Sequence, residues 1–235
     1  MSETKYKRVI IKLSGEALAG EKGHGIDETV LSKVVDQIIE VTKLGVQVGI
    51  IVGAGNFWRG RQGTEMDRSQ ADHMGMLATV INALAIQDAL ERKGTQTRVQ
   101  TALTITRVAE PYILRKALSH LNKGRVVIFA CGTGNPYFTT DTAAALRAAE
   151  IGADVLLLAK NVDGIYDSDP KKNPNAKKLE QVSYREYIEK GLKAMDTTAI
   201  TICMENEIPV LAFGLFEKDA LVRVAKGEKI GTLIK

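Results

Sequence analysis

Six short, almost uninterrupted apolar runs limit what this chain can fold into: Arg8 to Leu13, Val46 to Val52, Thr97 to Leu103, Arg125 to Ala130, Val155 to Ala159 and Pro209 to Phe213. Bounded by glycines and polar turns, such runs read as strands covered on both faces, the pattern of a parallel sheet. The segments between them have helical spacing. In Asp27 to Leu44, Asp27 can cap, Val30, Val34, Ile38 and Val41 share a face, and Gly45 ends the helix. A longer helix is expected from about Asp67 to Arg92, with Met74, Leu77, Ile81, Leu84 and Asp88 or Ala89 along one stripe. Shorter helices are expected at 111–121, 141–151, 183–189, 196–205 and 219–225. Alternating strands and helices specify an α/β fold, a three-layer αβα sandwich around a mainly parallel sheet, with ligands at the C-terminal ends of the strands.

No Pro- or Ser-rich linker and no fixed-period repeat divides the 235 residues, so 1–235 reads as one domain. The polar stretch from Asp167, with two of the five prolines, reads as a surface excursion and a candidate flap. Hydrophobic residues at 45% and charged residues at 26% exclude disordered, collagen-like and coiled-coil classes. A net charge of +4 is too small and dispersed to indicate a nucleic-acid or membrane surface. Cys131 and Cys203 lie far apart in apolar surroundings without metal-ligand spacing. With no membrane-length apolar run and no signal-peptide core at the first residues, a cytoplasmic protein is expected.

The 21 glycines amount to about 9% against a usual ~7%, and three clusters of them follow strands. These are Lys12-Leu-Ser-Gly-Glu-Ala-Leu18, Gly53-Ala-Gly-Asn-Phe-Trp-Arg-Gly60 and Gly132-Thr-Gly-Asn-Pro-Tyr-Phe-Thr-Thr-Asp141. Glycine at a strand end lets backbone amides approach a ligand, and adjacent amides or a helix N-terminus cradle phosphate. Any one such turn can be an ordinary connector; three together suggest a polyphosphate or two phosphorylated ligands. The P-loop pattern is absent, and Trp58 stands where a dinucleotide fingerprint needs its third glycine. Lys12 ends an apolar run and could bridge phosphate oxygens, and Arg59 could clamp phosphate bidentately. Asp72, Asp141, Asp154, Asp163, Asp169 and Asp196 recur near the strand ends, where carboxylates hold ribose hydroxyls, orient lysine, ligate Mg²⁺ or simply cap helices. His24, His73 and His120 are scattered, and no nucleophilic triad can be argued from spacing.

These clusters, with Asp72-His-Met-Gly-Met-Leu-Ala-Thr79 and Val162-Asp-Gly-Ile-Tyr166, closely resemble the bacterial-type UMP kinases of the amino acid kinase superfamily over essentially the whole chain. The resemblance implies Mg²⁺-dependent transfer of the ATP γ-phosphoryl to UMP. It implies ATP contacts from Lys12, Leu13, Ser14, Gly15, Gly55, Arg59, Asn161, Tyr166 and Asp169. It implies UMP contacts from Ala54, Asp72, Thr133, Gly134, Asn135, Pro136, Tyr137, Phe138, Thr139 and Thr140. Lys12 and Arg59 would neutralise charge, Asp141 and Asp196 would orient lysine or metal, and Mg²⁺ would be held mainly by nucleotide phosphates.

Gly20, Glu21, Lys22, Gly23, His24 and Gly25 match the segment linked in the family to activation by GTP. Inhibition by UTP and a homohexamer are implied as well. The UMP half would span roughly 1–150 and the ATP half 151–235, sharing one sheet. Ala54 stands where many relatives have glycine, and Lys160-Asn161 where some have Thr-Lys. An acetylglutamate or carbamate kinase would lack the Thr139-Thr140-Asp141 loop. A non-catalytic nucleotide sensor or RNA-binding regulator finds only the weak positive balance in its favour.

Overall fold

The computed structural model describes residues 4–58, 65–168 and 173–235. In chain order the first half runs β1 (Arg8–Leu13), α1 (Gly15–Leu18), a 3-10 turn (Gly20–Lys22), α2 (Glu28–Lys43), β2 (Gln47–Val52), α3 (Arg68–Arg92), β3 (Thr97–Thr101), β4 (Glu110–Pro111), α4 (Leu114–Asn122), β5 (Val126–Ala130) and α5 (Thr140–Ile151). The second half adds β6 (Val155–Lys160), β7 (Ile165–Tyr166), β8 (Lys178–Leu179), β9 (Gln181–Val182), α6 (Tyr184–Glu189), α7 (Thr197–Glu205), β10 (Val210–Gly214), α8 (Ala220–Ala225) and β11 (Thr232–Ile234).

Among these residues one sheet has the order β4-β3-β5-β2-β1-β6-β10-β11-β9, and β7 pairs with β8 apart from it. Every neighbour in the large sheet is parallel except β10 with β11. The sheet separates two apolar cores. Val9, Ile11 and Leu13 of β1 face α2, α3 and α8, whereas Ile10 faces α4, α5, α6 and α7. Both faces are covered, so the strands carry continuous apolar sequence; each fully buried Ile or Leu contributes roughly 1.5–3 kcal/mol. The α/β sandwich is as expected. Since side chains alternate along a strand, Lys12 falls on the face of Ile10, toward α5.

Three local expectations change. The Thr97 run stops as a strand at Thr101, and α4 begins at Leu114, because Pro111 sits in β4 and pairs with Thr101. The stripe read along α3 turns out of the core at its start: Met74, Leu77 and Ile81 are 40%, 51% and 50% exposed, while Leu84 and Ala89 pack against the core. Its buried face instead carries Ala71, Met76, Thr79, Asn82, Ala83, Ile86 and Leu90, which mixes small and polar residues with apolar ones and hides the helical period. The two-residue strands β4, β7, β8 and β9 and the three-residue β11 were not foreseen, being too short to show alternation.

Candidate active site

The first two glycine turns are packed backbone to backbone. A Cβ on Gly15 would lie 2.6 Å from the Gly53 carbonyl oxygen and 2.8 Å from the Gly55 nitrogen, so only glycine lets the ends of β1 and β2 approach this closely. Asn82, buried on α3, donates to the Gly53 carbonyl at 2.8 Å and exchanges two 2.8 Å hydrogen bonds with Asn56. Asn56 also donates to the Gly25 carbonyl at 2.7 Å. Ala54 is not among the residues with left-handed backbone, so its methyl group imposes no strain on the second turn.

Lys12 reaches α5 as its strand position requires. Its Nζ lies 2.7 Å from Asp141 Oδ1, and the two side chains are 13% and 18% exposed. The contact is a charge pair without hydrogen-bond alignment: Asp141 Oδ1 is buried and has no hydrogen-bond partner among the described residues. Thr139 caps α5, its hydroxyl accepting from Asp141 N at 3.0 Å and Thr142 N at 3.3 Å. Asp196 has other partners. It caps α7 through Ala199 N at 2.8 Å and accepts from the hydroxyls of Thr139 and Thr142, so its oxygens are already engaged.

A cavity of about 520 Å³ opens beside these turns, lined by Ala54, Gly55, Asp72, Thr133, Asn135, Phe138, Thr139 and Thr140 among others. Asp72 Oδ2 accepts from Tyr137 N at 2.8 Å and from Arg68 Nε at 2.9 Å, which ties α3 to the third glycine turn. That turn has left-handed backbone at Cys131, Gly132, Gly134 and Tyr137, a tight course that turns the Tyr137 side chain out to solvent. Gly134, Pro136 and Tyr137 do not line the cavity. Glu16, Trp58, Gly75, Met76 and Thr79 do, and sequence reasoning did not assign them to the site. Three were detectable: Gly75, Met76 and Thr79 follow Asp72 at helical i+3, i+4 and i+7 spacing, on one face of α3. Trp58 is fixed by donating from Nε1 to the Ala71 carbonyl at 2.8 Å.

A second cavity, about 620 Å³, is lined by Gly20, Glu21, Lys22, Asp27, Thr29, Phe216 and Asn161, and it shares Glu16 with the first. The Gly20 segment therefore adjoins the predicted ATP residue Asn161. Tyr166 donates to Asp163 at 2.7 Å and lines neither cavity. Leu13 is buried in the core, and Arg59 and Asp169 lie outside the described residues. Burial pushes the Cys131 thiol above its ordinary value, which disfavours a nucleophilic role. Among the described residues no three His, Cys, Asp or Glu side chains gather as a metal site. No helix among them is long and apolar enough to cross a membrane.

The sequence profile of the amino acid kinase family matches residues 7–213. A UMP kinase from Bacillus anthracis is 38% identical, with a TM-score of 0.95, over 98% of this chain and 96% of its own. A UMP kinase from Ureaplasma parvum is 39% identical, with a TM-score of 0.92, over 98% and 99%. A uridylate kinase from Archaeoglobus fulgidus is 26% identical, with a TM-score of 0.72, over 97% and 99%. With the paired glycine turns and the buried Lys12–Asp141 contact now located, these matches place the chain in the amino acid kinase family, among the bacterial UMP kinases.

Proposed function

We propose that the chain transfers the γ-phosphoryl group of ATP to UMP, giving ADP and UDP, as a step in pyrimidine nucleotide synthesis. The observation that carries this reading is the buried Lys12 ammonium against Asp141, beside two glycine turns at the strand ends. The acceptor phosphate of UMP is an anion at neutral pH and needs no general base. Positioning and charge neutralisation by Lys12, backbone amides and Arg59 then suffice. This accounts for a site without catalytic histidine or nucleophile.

UMP belongs in the first cavity, with Asp72 on its ribose and the 133–140 turn around its base and phosphate. ATP belongs on the β6 side, at Asn161, Tyr166 and Asp169, with its phosphates over Lys12 to Gly15 and Gly55. The chain would thus divide into a UMP half (about 1–150) and an ATP half (151–235) across one sheet. Asp141 orients Lys12, and Asp196 acts through the Thr139 and Thr142 hydroxyls. Mg²⁺ would be held mainly by nucleotide phosphates, with Asp141, beside Lys12, the partly buried carboxylate that would contribute to holding it. When bound, Mg²⁺ neutralises charge between the β- and γ-phosphates.

GTP activation, UTP inhibition, a hexamer and a cytoplasmic location complete the proposal. Because Gly20, Glu21 and Lys22 border the cavity that contains Asn161, GTP bound at that end of the segment would be a close neighbour of ATP. The exposed Met66, Met74, Leu77 and Ile81 support self-association through α3 and the residues before it; a sedimenting monomer would count against it. The test of activity is ADP release from ATP and Mg²⁺, with GTP present, on adding UMP, CMP, acetylglutamate or carbamate. UMP-stimulated release is expected, and its absence would sink the kinase reading.

A further inference from the structure

Lys160 is a partly buried cation close to the phosphate turns that the proposed chemistry has not used. It is the last residue of β6, beside β1, where Ala159 pairs with Leu13 and Leu158 with Lys12. Leu156 and Leu158 lie in the same core as Ile10. By alternation Lys12 and Lys160 therefore project from the same face of adjacent strands, one pleat apart. The Lys160 Nζ donates to the Ala194 carbonyl in the loop before Asp196. Withdrawal from water pushes its ammonium below the usual lysine range; Asp141 and Glu16 oppose this, while Lys12 adds to it.

Two ammonium groups thus share one sheet face, with Asp141 and Glu16 the carboxylates that act on Lys160. Two ammonium groups withdrawn from water are costly to hold together, and a multiply charged anion would relieve that cost. Lys160 is followed directly by Asn161, which lines the second cavity, so the end of β6 lies between the two strand-end turns and that cavity. An ammonium carries three donors, so the Ala194 carbonyl leaves two for phosphate oxygens.

We propose that Lys160 is a donor-phosphate-binding residue, its ammonium holding β- and γ-phosphate oxygens of ATP across from Lys12. This rests on the kinase reading, and its first test needs neither UMP nor turnover. In the wild-type protein, amine-reactive labelling of Lys160 is followed by peptide mass spectrometry with no addition, with tripolyphosphate, with ATP or with adenosine. Protection by tripolyphosphate and ATP but not by adenosine is expected; equal labelling in all four samples overturns the proposal. The second test uses Lys160→Met and Lys160→Arg. Loss of one charge-assisted contact should weaken ATP about 10- to 100-fold in Lys160→Met, with KM for UMP nearly unchanged and partial recovery in Lys160→Arg. Unchanged KM and kcat for ATP in Lys160→Met, or equal weakening of ATP and adenosine, would overturn it. If Lys160→Met does not fold, the labelling result decides alone. Wild-type protein without UMP-stimulated ADP release but with tripolyphosphate protection would remove the kinase reading while keeping the anion site.

Discussion

The first cavity and the region beyond β6 are held in different ways. On the UMP side, side chains from the helices bond directly to backbone groups of the turns: Asn82 to Gly53, Asp72 to Tyr137, Thr79 to the Cys131 amide at 2.8 Å, and Thr139 to its own helix start. Beyond β6, the two-residue strands β7 and β8 carry the Asp163 contacts to Tyr166 and Lys178, and the Lys178–Asp163 pair is 37% and 45% exposed. Buried, cross-tied turns fix geometry before a ligand arrives, whereas exposed ion pairs of this kind contribute about 0–1 kcal/mol. The wall of the first cavity, proposed to take the acceptor, is therefore preorganised, whereas the β7–β8 region, proposed to take the donor, has only weak ties of its own.

The strongest challenge to that contrast falls between the two walls. Lys12→Ala removes a charge-stabilising donor and should lower kcat roughly 10²- to 10³-fold with smaller changes in either KM; near-normal turnover would reduce Lys12 to a structural residue. Next, Asp72→Asn should raise KM for UMP about 10- to 100-fold and leave KM for ATP nearly unchanged. An equal rise in both constants would mean that the acceptor wall is not a separate unit.

Asn82→Leu strips the Gly53 carbonyl and Asn56 of their buried partner and should cost about 1–3 kcal/mol for each unsatisfied group in urea unfolding. A loss below ~0.5 kcal/mol, the range of ordinary surface substitutions, would show that the ties do not hold the turn. The smallest effect concerns the core under the donor wall. Burial, with Asp196 adding, pushes the Cys203 thiol from 9.0 up to about 12. The folded thiol stays neutral while the unfolded one ionises. Its contribution is thus complete below pH 9 and lost as pH rises toward 12, with a slope of up to about 1.4 kcal/mol per pH unit. Urea midpoints between pH 8 and 10.5 should fall less steeply in Cys203→Ala than in the wild type.

The main strands were legible because both faces of the sheet are covered, and β1 has the predicted limits. Caps were legible for a local reason: Asp27, Asp67, Ser183 and Asp196 each bond the amides they precede. The buried face of α3 was not, since Asn82 and Thr79 look polar in sequence and become interior only by bonding turns that lie 29 and 52 residues away. Trp58 was visible as part of the second glycine turn, whereas Cys131, beside Gly132, lines the cavity through the packing of the third turn. Lys12 was read as a phosphate ligand from its place at a strand end; its partner Asp141 could be named but not chosen over Asp196 without the fold.

The amide pair of Asn56 and Asn82 has one further consequence. Asn56 grips Gly25 as well as Asn82, so the end of the 20–25 segment, the second glycine turn and the middle of α3 are joined through two side chains. Gly25 and Gly53 are thereby linked through the Asn56 and Asn82 side chains. Loop and turn therefore form one mechanical part, and neither can change length without retuning the other.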